Sequence, residues 1–148
     1  MSFDSTDLEN AVVALLQPLR ASHGVLTLKK YDGELDADRI TATMGRVPAV
    51  LVLYAGGRNE DLGARQVFMA RLVVFCLESG LREGTARPGV NALLRGVRDI
   101  LAGCEIVRSS VASLEREEAV SAASGMSCFA ATYKIPVYWM AGQGGIHG

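Results

Sequence analysis

The 148-residue sequence predicts an α+β domain with a mostly antiparallel sheet and helices packed on one face. Three observations lead there. Two segments carry apolar residues at helical spacing. Strand-like apolar runs come in adjacent pairs between the helical segments. The regular alternation of one strand with one helix, which a doubly wound sheet needs, is missing. The order read along the chain is α-β-α-β-β-α-β-β, in one domain spanning residues 1–148.

The first helix is predicted over Thr6 to Ser22. Thr6-x-x-Glu9 has the form of a capping box, and Leu8, Val12, Leu15, Leu16 and Leu19 make one apolar stripe. Pro18 should kink this helix or end it early, and Gly24 suits its stop. Val25 to Tyr31 has the pattern of a strand, and Asp32-Gly33 of a turn. Asp36 to Met44 makes a short helix closed by Gly45. Pro48 stands at the head of a strand, Ala49 to Tyr54, where proline is tolerated.

The stretch from Gly56 to Gly63 is expected to be a long loop between two strands, its glycines supplying unusual backbone angles. A second strand follows at about 65–77. Arg87 to Ala102 is the clearest helix, with Pro88 in its first turn and Gly103 at its stop. Its buried stripe is Val90, Leu93, Leu94, Val97, Ile100 and Leu101; Asn91, Arg95, Arg98 and Asp99 face elsewhere. Two strands close the domain, Glu105 to Glu115 and Met126 to Met140. In the last, Phe129, Ala131, Tyr133, Ile135, Val137 and Trp139 alternate with smaller or polar residues.

The runs AVLVLY and VFMARLVVFCL are apolar at odd and even positions alike, so both faces of these strands should be covered. Either a neighbouring subunit or a sheet curled on itself would do this, and the sequence leaves both open.

The chemistry of the chain is sparse. Fifteen Lys and Arg oppose sixteen Asp and Glu, a net charge of −1, which sets up no global field toward nucleic acid or membrane. The apolar runs are far shorter than the roughly 20 residues of a membrane helix, and the acidic start does not suit a signal peptide. Cys76, Cys104 and Cys128 have no metal spacing, and their odd number argues against a disulfide framework; they are expected to be reduced thiols packed as small hydrophobes. Gly56-Gly57 is followed by Arg58-Asn59-Glu60-Asp61, without the lysine and Ser/Thr of a phosphate loop. His23 and His147 are expected at the surface. No nucleophile elbow and no acid/base pair is present. The charge run LEREEAV, residues 114–120, has the composition of a solvated loop.

Three segments nonetheless carry a resemblance. GRVPAVLVLYAGG at 45–57, RQVFMARLVVFCL at 65–77 and GVNALLRGVRDILAG at 89–103 resemble a family of small proteins from Mu-like phages and prophages. The family order also includes an amphipathic first helix and a Y-x-G-x-L segment, here Tyr31-Asp32-Gly33-Glu34-Leu35. The resemblance covers about residues 6–140; the acidic start and the segment AGQGGIHG, 141–148, lie outside its pattern.

The resemblance implies a tail-terminator-like fold and a structural role in the virion. The protein would form a homohexameric ring on the last ring of the tail tube, stop tube growth and offer a docking surface to the head-tail connector in the neck. Its partners would be the tail tube protein, the connector and, in sheathed tails, the sheath protein. DNA would meet it only by passing through the ring lumen. Location would be the tail and neck, assembled in the host cytoplasm, with no membrane contact. No catalytic residue, cofactor or metal is implied. The expected interface residues are Arg58, Asn59, Glu60 and Asp61 on the glycine-flanked segment and Arg95 and Arg98 on the helix. The segment 141–148 would be flexible or held by a partner. The competing expectation is a small ligand- or peptide-binding α+β module.

Overall fold

The computed structural model describes residues 4–31, 46–63, 65–79, 89–107, 110–120 and 126–138. The short helix expected at Asp36 to Met44, the turn at Asp32-Gly33, Trp139, His147 and the segment 141–148 lie outside these residues.

Helix α1 runs Ser5–Leu15. Its cap differs from the expected box: the Asp4 side chain accepts the Thr6 amide at 2.8 Å. An aspartate at this position satisfies one of the amides that open a helix and suits its positive end. Pro18 acts as expected. It cannot continue the hydrogen-bond ladder, so α1 ends and a separate turn of helix, α2 (Leu19–Ser22), begins with Pro18 as its N-cap.

Strand β1 (Thr27–Lys30) then lies parallel to the start of β2 (Ala49–Leu62), with Thr27 beside Ala49. β2 turns back into β3 (Arg65–Ser79). Helix α3 spans Val90–Leu101 and is followed by a short antiparallel pair, β4 (Glu105–Val107) and β5 (Ser110–Val111). β6 (Ser113–Val120) and β7 (Met126–Tyr138) complete the described elements. The five-stranded sheet has the order β1-β2-β3-β7-β6, antiparallel at every junction except β1–β2.

Three expectations about the strands are corrected here. Gly56 to Gly63 is no loop. β2 continues through it, pairing Gly57 with Ala70 and Leu62 with Arg65 in one long hairpin. The periodicity hid this because the register breaks between Tyr54 and Gly57. Gly56 takes φ +90 there, a left-handed conformation that glycine supplies in one type of bulge. The charge run at 114–120 is likewise no loop but most of edge strand β6. Alternating charge is how such an edge stays soluble. The single strand expected over Glu105 to Glu115 is also divided, among β4, β5 and the start of β6.

The helices pack on one face of the sheet. Leu8, Val12, Leu16 and Leu19 of the first helical segment join Leu93, Leu94, Val97 and Leu101 of α3 over Val50, Val52, Leu72, Val74, Ala131, Tyr133 and Ile135. The opposite face holds a second cluster, with Tyr31, Leu51, Phe75, Leu77 and Cys128 among its members. Tyr31 meets Phe75 edge to face, ring centroids 5.8 Å apart. Leu51 and Leu77 are fully buried in this isolated chain. The apolar strands are therefore covered on both faces without a second copy. Strands apolar on both faces give no reason of their own to expect an oligomer.

Candidate interaction surfaces

Among the described residues no group of three or more His, Cys, Asp or Glu is placed to hold a metal, and no helix is long and apolar enough to cross a membrane. The charged side chains instead divide into those that tie elements together and those that stay outside.

Arg98 belongs to the first class. It does not stand clear of the fold, as the helical face assignment expects. Its Nη2 donates to Glu117 Oε1 at 3.4 Å and lies 3.2 Å from Oε2. This joins α3 to β6 across the helix-side face. The junction is not fully satisfied: Arg98 Nε and Tyr133 Oη are buried without a hydrogen-bond partner. Loss of water around the Tyr133 hydroxyl pushes its pKa well above the phenolic range, and nearby Cys76 and Glu117 add to this.

Arg71 of β3 reaches over β7 to Glu115 of β6, Nε to Oε1 at 3.0 Å and Nη2 to Oε2 at 3.2 Å. This fork is the geometry in which arginine binds carboxylates best. Hydrogen bonding from Arg71 is the main reason the Glu115 carboxyl is held below the usual carboxylate range, with the charges of Arg71, Lys134 and Arg116 assisting.

Glu9 is a third tie. It faces inward at 9% exposure, and its Oε2 accepts the backbone amide of Tyr54 at 2.8 Å. The tie anchors α1 to β2 beside the bulge. Sequence spacing had assigned Glu9 to its own helix cap; the sheet takes it instead.

His23 is half-buried rather than a surface residue. Its Nδ1 lies 2.7 Å from Ser22 Oγ. The far side of the ring approaches α3 at Gly96, where an added Cβ would stand 2.7 Å from His23 Cε1. The helices can approach this closely only because Gly96 has no side chain.

Arg95 is exposed on α3. Arg58, Asn59, Glu60 and Asp61 lie in sequence on the outer half of β2, beyond the bulge. Arg58 Nε sits 3.5 Å from Glu60 Oε2, with Arg58 74% exposed. A matching pair, which sequence reasoning missed, occurs on β6: Arg116 Nε lies 3.4 Å from Glu118 Oε1, the two side chains 65% and 56% exposed. The signal was present as the repeated Arg-x-Glu spacing, 58/60 and 116/118, but a run assigned to a loop carries no strand faces to compare. The structure does not bring 58–61 together with Arg95 and Arg98: the first group stands on β2 and the second on α3.

The sequence matches the family described as Bacteriophage Mu, Gp37 over residues 6–139. Among solved structures, a chain described under "Virion of native gene transfer agent (GTA) particle" has a similar fold, with a TM-score of 0.57 and 15% sequence identity, covering 89% of this chain and 95% of that chain. At that identity the likeness is one of fold. None of the curated proteins compared with the chain matches it.

Proposed function

The chain belongs to the Bacteriophage Mu Gp37 family, and on that premise we propose that it is a structural virion protein, the tail terminator, acting as one domain over residues 1–148. Copies form a ring, six in number, on the last ring of the tail tube. The ring stops polymerisation of the tube protein and gives the connector in the neck a surface to dock on; in a contractile tail the sheath meets it as well. No turnover is required, since the protein acts by fitting surfaces. The observation that carries this reading is the match along nearly the whole chain to a phage family, supported by a fold shared with a chain of a virion particle.

The ties of Glu9 to β2 and of Arg98 to β6 hold α1 and α3 to the sheet, as a docking part needs. The charged outer half of β2 and the exposed Arg95 are its outward surfaces. If Arg95 faces the lumen, it is the cation that passing DNA meets, because Arg98 is committed to Glu117.

The test is deletion of the gene from a phage that carries it, with the full chain supplied in trans. Expected without the protein are tails of uncontrolled length that do not join heads, seen by negative-stain microscopy, and restored tails on complementation. Tails of normal length joined to heads in the deletion would overturn the assignment.

A further inference from the structure

We propose that copies of this chain join head to tail by strand addition, the outer half of β2 in one copy lying antiparallel against the free edge of β6 in the next. The proposal rests on reading the protein as a ring-forming part and names the surfaces that make the ring.

Both edges are open among the described residues. β1 covers β2 only from Ala49 to Val52, so from Gly57 to Leu62 β2 has β3 as its single strand neighbour. β6 ends the five-stranded sheet and pairs with β7 alone. An open edge presents unpaired amides and carbonyls, a template for another strand.

The charges select the register. Along a strand, residues i and i+2 share a face. Arg58 and Glu60 form one such pair and Arg116 and Glu118 another. Laid antiparallel with Arg58 opposite Glu118, Glu60 falls opposite Arg116. The two intrachain pairs then become one alternating group of four charges, and opposite charges directly across a strand pair stabilise it. Asp61 falls level with Glu115, but the irregularity between Leu114 and Arg116 turns Glu115 to the face away from the helices, where Arg71 already holds its charge.

Sidedness agrees as well. Asn59 lies across from Phe68, which packs against the helix-side core, so Arg58 and Glu60 face away from the helices. Glu117 lies across from Ala131 of the same core, so Arg116 and Glu118 also face away. Strand direction agrees too. Three antiparallel junctions separate β2 from β6, so these two strands run oppositely. A β2 added antiparallel to the neighbour's β6 therefore runs the same way as the neighbour's own β2. Every copy keeps its helices on one side, and the contact repeats with the same hand. Such a heterologous contact uses both open edges with one interface, and it closes into a ring when the rotation per copy divides a full turn. A two-fold contact of β2 with β2, or β6 with β6, covers one edge and leaves the other bare.

The test uses full-length protein carrying Cys104→Ser and single new cysteines at exposed positions, Asn59→Cys or Ala119→Cys. In the proposed register these stand diagonally across the strand pair, within reach of a short bismaleimide linker. Neither variant alone should crosslink, their mixture should give dimers, and a chain with both should give a ladder of multimers. In that doubly labelled chain, Arg58→Glu should lower the ladder yield roughly tenfold, and adding Glu118→Arg should restore it, since like charges across the pair repel and swapped charges attract again. Thermal melts check that each variant folds. Crosslinking by either single variant alone, which marks a two-fold contact, would overturn the proposal, as would the absence of a ladder. A ladder from a protein whose deletion leaves tails normal keeps the edge contact and removes the terminator reading. Tail defects without any ladder do the reverse.

Discussion

Gly96 decides how close α2 and α3 come. An added Cβ there would lie 2.7 Å from His23 Cε1 and 3.0 Å from Leu19 Cδ2. Two effects of Gly96→Ala oppose each other. Alanine stabilises a helix interior by about 1 kcal/mol relative to glycine. Overpacking costs about 1–3 kcal/mol, and Leu19 is fully buried. Overpacking should win, and Gly96→Ala should lower the melting temperature. Combining it with His23→Ala should recover part of the loss, because the histidine ring is the nearest obstacle. A higher melting temperature for Gly96→Ala alone would show that the ring moves aside freely. Glu9 teaches the same lesson at another residue. Its spacing from Thr6 was legible as a cap, but its partner, the Tyr54 amide, lies 45 positions away in sequence. A local motif and a long-range bond compete for one carboxylate, and only the fold shows which is made.

Helix α3 was legible almost residue by residue, because a stripe at 3.6-residue spacing records burial directly. Leu93, Leu94, Val97 and Leu101 are buried as expected, while Val90 and Ile100 are half-buried at its margin. The polar face was less legible. Spacing cannot tell that β6 reaches Arg98 and leaves Arg95 outside. The variants should separate three ways in a thermal or denaturant melt. Leu94→Ala should cost about 2–5 kcal/mol through the cavity it leaves. Arg98→Glu should cost about 1–2 kcal/mol: it sets two carboxylates together at Glu117, and partial exposure screens them. Arg95→Glu should stay within about 0.5 kcal/mol of the parent. If Arg95→Glu is as damaging as Arg98→Glu, the faces have been assigned wrongly. The hairpin β2–β3 was the least legible element. A bulge interrupts alternation, and the polar residues beyond it look like loop composition although the backbone ladder continues through Leu62.

At the scale of the whole molecule, the class was readable, because apolar runs in adjacent pairs favour an antiparallel sheet; the strand order, with β1 parallel to β2 and β7 beside β3, was not. What covered the second face was not, since a strand apolar on both sides says only that something does. The thiols offer a direct measure of that closure. Cys76 belongs to the helix-side core and Cys128 to the opposite cluster. Burial pushes the Cys128 thiol up to about 11 and Cys76 further still. In a native protein at mildly alkaline pH, half-buried Cys104 should react first with a thiol reagent. Cys76 and Cys128 should follow together, at the rate of global unfolding. Early labelling of Cys128 with Cys104 would mean that the second layer opens on its own. The sheet order carries one more consequence, for synthesis. β7 is last in sequence among the described strands, yet it is inserted between β3 and β6. The β2–β3 hairpin can close as soon as it leaves the ribosome. Until β7 follows, the inner edge of β3 stays bare, with Leu72, Val74 and Cys76 on one side and Val73, Phe75 and Leu77 on the other. A nascent chain that pauses in this interval presents a long apolar edge to its neighbours, and there aggregation competes most strongly with folding.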